Sequence, residues 1–195
     1  EDALRYRLER GLARQEEQMA LLVQRVSGAY HGDYFFPAFA GVGVSYNTFV
    51  WRQDIDPSAG MLRLVVGLGT RAVDRVEGDY PRIVALDQPL LVPWPEPESR
   101  RRYTQHDVDV LDTAHNSLRT VSMAELQEEE PTLPLDLFAE RAPPGWLVTF
   151  ERLLAGTGFA GTMRSLLRTL ERAYEYPVDV EFAGTYASDG KLYLN

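Results

Sequence analysis

The sequence predicts an α+β fold: a mixed or antiparallel sheet with flanking helices. Three observations carry that prediction. Short branched or alternating runs, "AGVGVSYN" (40–47), "MLRLVVG" (61–67), "RIVALD" (82–87) and "VDVEF" (178–182), recur along the chain with glycine and proline between them. Near the end, "TMRSLLRTLERAYEYP" sets Met163, Leu166, Leu167, Leu170 and Tyr174 on one helical face. From Gly69 to Arg82 there is barely room for the about 10 to 12 residues of a parallel βαβ crossover, so a doubly wound sheet is strained.

Taken in order, Leu4, Leu8 and Leu12 predict an amphipathic helix over residues 2–18 that buries one leucine stripe, with Gly11 a mild weakness. "MALLVQRV" (19–26) loses that period and gains β-branched residues. It reads as a strand joined to the strand at 40–47 by the aromatic loop "HGDYFFPAF". Residues 61–67 form a third, buried strand; a helix follows Gly69 to about Val76, where "EGDYP" stops it, and residues 82–87 return as a strand.

"QPLLVPWPEPESRRR" is proline-rich and predicts an extended connector. "YTQHDVDVLDTAHNSLRTVSM" alternates as a hairpin turning near Asn116-Ser117, and Ser122 with Glu125 makes a capping box for a short acidic helix before Pro131. Residues 131–145 hold four prolines and predict a second connector. Thr162 then caps the long helix, Pro177 lies beyond its end, and "VDVEFAGTYASDGKLYLN" gives two strands turned at Ser188-Asp189-Gly190. No internal repeat is visible.

The chain has 195 residues, 45% of them hydrophobic, enough for a sizeable core. A net charge of −9 repels nucleic acid and anionic membrane, so neither is an expected partner and any phosphate site must be made locally. There is no cysteine, which removes disulfides and thiol nucleophiles and fits a reducing, cytoplasmic setting. No apolar run approaches the about 18 residues of a membrane helix, and the charged start "EDALRYRLERGLARQEEQ" is not a signal peptide. Its lack of an initial Met suggests a fragment.

The sharpest chemical signal is "YPVDVEF". On a strand, Asp179 and Glu181 point one way while Val178, Val180 and Phe182 point the other. Facing a cleft, two carboxylates suit a hard cation such as Mg²⁺; facing solvent, they are an ordinary polar edge. Gly67-Leu68-Gly69-Thr70-Arg71-Ala72, with Asp87 further on, approaches a dinucleotide fingerprint and equally fits a tight turn. Arg100, Arg101 and Arg102 could meet phosphates or form a solvated loop; His31, His106 and His115 lack metal-ligand spacing. There is no P-loop, and Lys191 is the only lysine.

"YRLERG", "MALLVQRVSGAYHGDYFFPAFAGVGVSYN", "LRLVVGLGTRAVDRVEGDYPRIVAL", "LERAYEYPVDVEFA" and "GKLYLN", in that order, resemble the ATP-binding region of the phosphoenolpyruvate synthase and pyruvate phosphate dikinase family. The resemblance covers residues 1–195 as a partial ATP-grasp nucleotide-binding domain, with an atypical middle at about 88–145. It implies two α+β subdomains that clamp ATP and Mg²⁺, of which this chain resembles the C-terminal portion. Gln24 and Val26 match the strand bordering the adenine, Glu181 matches the metal-binding glutamate, and Asp179 stands beside it as a second candidate. No catalytic residue is assigned. The Gly-Leu-Gly stretch resembles the family's turn after a core strand rather than a dinucleotide fingerprint.

The family moves phosphate from ATP to a carrier histidine and on to pyruvate. Three departures bear on that expectation. Thr70 stands where many members have glutamate, the chain stops at Asn195 before a Gln-x-Arg-Pro ending, and the other lobe's lysine and arginine and the phosphohistidine domain are not in the sequence. Phosphoryl transfer needs those charges, so the segment alone is expected to be inactive and a weak nucleotide binder. Two other readings stand beside this one: a divergent non-catalytic nucleotide-binding or regulatory module, and a nicotinamide-dependent dehydrogenase, which requires a long helix after Gly69 and a parallel strand ending at Asp87.

Overall fold

Branched and small residues at period two build the frame of this protein. In the computed structural model, residues 2–12, 14, 20–129, 133, 135–143, 145–186 and 191–195 are described. Helix α1 spans Asp2–Glu9; a hairpin follows, β1 (Ala29–His31) and β2 (Tyr34–Phe36), and then β3 (Phe39–Val44) and β4 (Met61–Val65). Helix α2 is Thr70–Val73, β5 is Arg82–Ala85 and α3 is Pro97–Arg102. The middle holds the hairpin β6 (Asp107–Asp112) and β7 (Ser117–Ser122), helix α4 (Met123–Glu129), and the hairpin β8 (Ala139–Ala142) and β9 (Gly145–Val148). Helices α5 (Glu151–Gly156) and α6 (Phe159–Tyr174) and strands β10 (Asp179–Tyr186) and β11 (Leu192–Leu194) complete the order.

Five strands pair in the order β11-β10-β3-β4-β5, four in the order β1-β2-β6-β7, and β8 pairs β9. Every pairing is antiparallel. The architecture is therefore α+β with antiparallel sheets and flanking helices. Because β4 and β5 run antiparallel and α2 has four residues, the dehydrogenase reading is overturned: its βαβ unit requires parallel strands joined by a long helix.

The inner face of the five-stranded sheet offers Leu62, Leu64, Val84 and Phe182 to Met163 and Leu167 of α6 and Leu153 of α5, all buried. Phe39 lies at the centre, its ring 5.3 to 6.5 Å from those of Phe138, Phe150, Phe159 and Phe182. Gly184 passes directly against it. A Cβ there would sit 2.1 Å from the Phe39 ring, so only glycine permits this approach.

Several expectations need correction. Helix α1 stops at Glu9, and Gly11 follows at φ +70°; Leu4 and Leu8 are 62% and 59% exposed, so the leucine stripe is not buried. Residues 20–26 form no strand, and Leu21, Leu22 and Val23 are exposed, because no neighbouring strand offers them a ladder. The aromatic loop is instead the β1–β2 hairpin, turning at Gly32. Both proline-rich connectors contain regular structure: Pro97 starts α3, where a missing N–H costs nothing, and β8 lies within 131–145 and pairs with β9, which begins at Gly145.

Helix α6 begins at Phe159, after Gly158 at φ +69°. Thr162 lies inside the first turn and its hydroxyl donates to the Gly158 carbonyl at 3.3 Å, so it is not the cap. Tyr174, expected to share one helical face with Met163 and Leu167, is 72% exposed while those two are buried. The β6–β7 turn near Asn116 and the Ser122 cap on Glu125 N–H, at 3.1 Å, stand where expected. The expected turn at Ser188-Asp189-Gly190 lies outside the described residues. Among the described residues, no helix is long and apolar enough to cross a membrane.

Candidate nucleotide site

The Gly-Leu-Gly-Thr turn leaves β4 at a fixed angle because β6 holds it. Gly67 has φ +83°, and a Cβ there would lie 2.4 Å from Val108 Cγ1 and 2.8 Å from the Asp109 carbonyl oxygen. Leu68 N–H donates to that carbonyl at 3.0 Å, and the Thr70 hydroxyl donates to Asp109 Oδ2 at 2.6 Å. Arg71, nearly buried, pairs with both Asp79 and Asp109. Burial pushes the Asp109 carboxyl upward. Hydrogen bonds from Thr120 and Thr70, together with the Arg71 charge, outweigh that and leave its pKa below the ordinary value.

Helix α2 then lies on the sheet's outer face, where Ala72 packs against Ala40, Val42 and Val65. Strand register fixes what shares that face. Glu181 is opposite Val42, and Val42 is opposite Arg63; one row along, Asp179 is opposite Val44. Asp179 and Glu181 thus occupy one face, and both are exposed.

A cleft of about 720 Å³ opens beside α2. Its walls include Gln24, Arg25 and Val26 on one side, Gly69, Thr70 and Asp74 at the turn, and Glu181 with Ala183 on the sheet. Gln24, Val26 and Glu181, singled out from distant parts of the sequence, line the same space. Asp179 is not among the lining residues.

A family model described as "Pyruvate phosphate dikinase, AMP/ATP-binding domain" matches residues 1–194. This chain belongs to that family. It is an AMP/ATP-binding domain of the pyruvate phosphate dikinase family by that membership, and its α+β sheet with flanking helices agrees with an ATP-grasp-like unit. Among curated proteins, none matches the chain.

Two residues of this dikinase-family cleft escaped sequence reasoning. Arg25 carries the cleft's guanidinium, and Asp74 ends α2 at its rim. Arg25 was legible only as the neighbour of Gln24 and Val26; on an irregular segment no period says which way a side chain points. Asp74 is placed by the shortness of α2. Nothing in its local pattern marks it.

The other candidate groups lie elsewhere. Arg100 pairs with Glu151 at 2.9 Å and Arg101 donates to the carbonyls of Ala142 and Pro143, so these two fasten α3 to the β8–β9 hairpin and α5. His31 packs on Phe36 with ring centroids 4.3 Å apart, and His115 meets Asp112 at 2.9 Å. None of the three histidines lines the cleft. Among the described residues, no three His, Asp or Glu side chains converge as a metal cluster.

Proposed function

We propose that the cleft seats ATP with its base against residues 24–26 and its phosphates toward Glu181. In the intact protein, this partial ATP-grasp domain would work with the other ATP-grasp lobe and a phosphohistidine domain, in a cytoplasmic setting, to pass phosphate to a carrier histidine and on to pyruvate. The observation that supports the reading is the convergence of Gln24, Val26, Thr70 and Glu181 on one cleft.

The residues present fit such an occupant. Residues 20–28 make no backbone hydrogen bond to another described residue, which leaves the N–H and C=O groups of 24 to 26 free for the edge of a base. Arg25 supplies a cation for phosphate oxygens. Glu181 and Asp74 offer exposed, hard carboxylate oxygens, a donor set that suits Mg²⁺ completed by water and phosphate; Asp179 stands one row outside. Mg²⁺, when bound, would neutralise phosphate charge against these acids. Without it, two carboxylates and a net charge of −9 oppose a polyphosphate.

One observation favours the second reading, a non-catalytic nucleotide-binding or regulatory module. Thr70 replaces the family's glutamate, and its hydroxyl is committed to Asp109 at 2.6 Å. The isolated segment is inactive under either reading, since most of the charge stabilisation for phosphoryl transfer lies outside it.

Calorimetric titration of ATP with and without Mg²⁺ tests the proposal. Binding should require Mg²⁺, and Glu181→Ala should weaken it by about tenfold or more, the worth of a lost charge-assisted contact. Unchanged affinity in Glu181→Ala removes that residue from the site. Mg²⁺-dependent binding by the full-length protein without pyruvate-dependent ATP consumption selects the non-catalytic reading.

A further inference from the structure

The outer face of the five-stranded sheet carries a second concavity, of about 420 Å³, whose walls include Phe49, Met61, Arg63, Arg75, Tyr80 and Trp94. That volume is within the range of about 300 to 1,000 Å³ typical of small-molecule sites. A neighbouring groove of about 400 Å³ shares Arg63, Arg75 and Tyr80 with it, and shares Val73 and Asp74 with the nucleotide cleft. The three hollows therefore run along one sheet face.

What distinguishes this concavity is its charge. Arg63 projects from β4, half-buried, in the same transverse row as Glu181. Neither the Arg63 nor the Arg75 side chain makes a hydrogen bond or ion pair with a described residue. Among the described residues, the two buried arginines are both matched: Arg71 by Asp79 and Asp109, and Arg82 by the carbonyls of Thr149, Ile83, Pro89 and Leu91. Asp79 is committed to Arg71, and Asp74 and Glu77, which line the neighbouring groove, form no ion pair with Arg63 or Arg75. The Arg63 guanidinium, partly withdrawn from water without an acceptor, is uncompensated, Arg75 lies exposed beside it, and a planar oxyanion is the partner such a fork fits.

The same lining is rich in aromatic rings. Phe49 and Trp94 have centroids 6.3 Å apart, Trp94 stacks on Tyr103 at 4.5 Å, and Tyr80 meets Tyr103 edge-on at 5.4 Å. Such rings are held in place by one another and present faces to a flat apolar body. We infer that this concavity binds a small planar aromatic molecule bearing a carboxylate or phosphate group, its ring against Phe49, Tyr80 and Trp94 and its oxyanion between Arg63 and Arg75.

Ligand-observed NMR with 1-naphthyl phosphate, 1-naphthoate and neutral 1-naphthol tests the inference, and the ranking of the first two identifies the oxyanion. At least one anion should bind about tenfold tighter than naphthol, as expected for charge-assisted hydrogen bonds. Arg75→Gln, an exposed change that leaves the core intact, and Arg63→Gln should each remove most of that preference, while saturating MgATP should leave it in place. Equal binding of naphthol, no binding of either anion, indifference to both arginine variants in folded protein, or displacement by MgATP would overturn it. The affinity ranking and the two arginine variants are read without nucleotide, so a failure of ATP binding in the neighbouring cleft is a separate outcome that leaves those arms decisive.

Discussion

The side-chain amide of Gln105 closes on the backbone of Val66 like a strand partner. Its Oε1 accepts from Val66 N–H at 2.7 Å and its Nε2 donates to the Val66 carbonyl at 2.9 Å. Gln105 is 1% exposed, and Nε2 also reaches the Asp107 carbonyl at 2.8 Å. One side chain thus continues β4 where its ladder ends and joins it to the chain entering β6.

Replacing Gln105 with leucine keeps much of the volume and strands a buried N–H and C=O. Each orphaned group costs about 1 to 3 kcal/mol, so Gln105→Leu should lose about 2 to 5 kcal/mol of unfolding free energy. Urea denaturation measures it. A loss under about 1 kcal/mol would mean that the Val66 groups find other partners.

Gly67 and Gly78 provide a matched comparison. Both have positive φ, +83° and +82°, but a Cβ at Gly67 meets Val108 and Asp109, whereas nothing lies within 4 Å at Gly78. Gly78→Ala should cost only the left-handed backbone penalty, about 1 to 2 kcal/mol. Gly67→Ala should cost clearly more and should also weaken ATP binding, because it displaces the turn that carries Thr70. Thermal unfolding and ATP titration of the two variants check this; equal effects would remove the steric argument.

Acid should weaken the clamp on that turn. The Asp109 carboxyl is held below its ordinary value near 3.8, so the unfolded chain takes up its proton first. The resulting stability is fully present above about pH 4 and is lost as pH falls through the lowered folded value. Asp54, Asp56 and Asp112 are lowered too by hydrogen bonds, so the contribution of Asp109 is read by difference. Asp109→Asn should flatten part of the stability slope between pH 2 and 5, a range set by about two units around an ordinary carboxyl. An unchanged slope would show that Arg71 and the two threonines do not hold the charged form.

What the sequence disclosed was what is local. The strands around Val42, Leu62 and Val84 and the cap of Ser122 on Glu125 are written in period, punctuation and near-neighbour hydrogen bonds. Leu21-Leu22-Val23 reads as a strand because its composition is strand-like, yet strand formation needs a partner edge that no local pattern reports. The start of α6 was missed for a similar reason: Gly158 enters in the left-handed region, and Thr162 satisfies its hydroxyl within the helix. At the site, period two put Glu181 and Asp179 on one face. Only the antiparallel register separates them, setting one opposite Val42 beside the cleft and the other opposite Val44 beyond it.

The cleft is walled by residues 24–27 on one side and 181–183 on the other, so almost the whole polypeptide lies between them. Any occupant would act as a reversible cross-link across that span, tying the solvent-facing stretch from Ala20 to Val26 onto the sheet. Amide deuterium uptake along that stretch would then slow in proportion to occupancy, giving a readout of filling that needs no turnover at all.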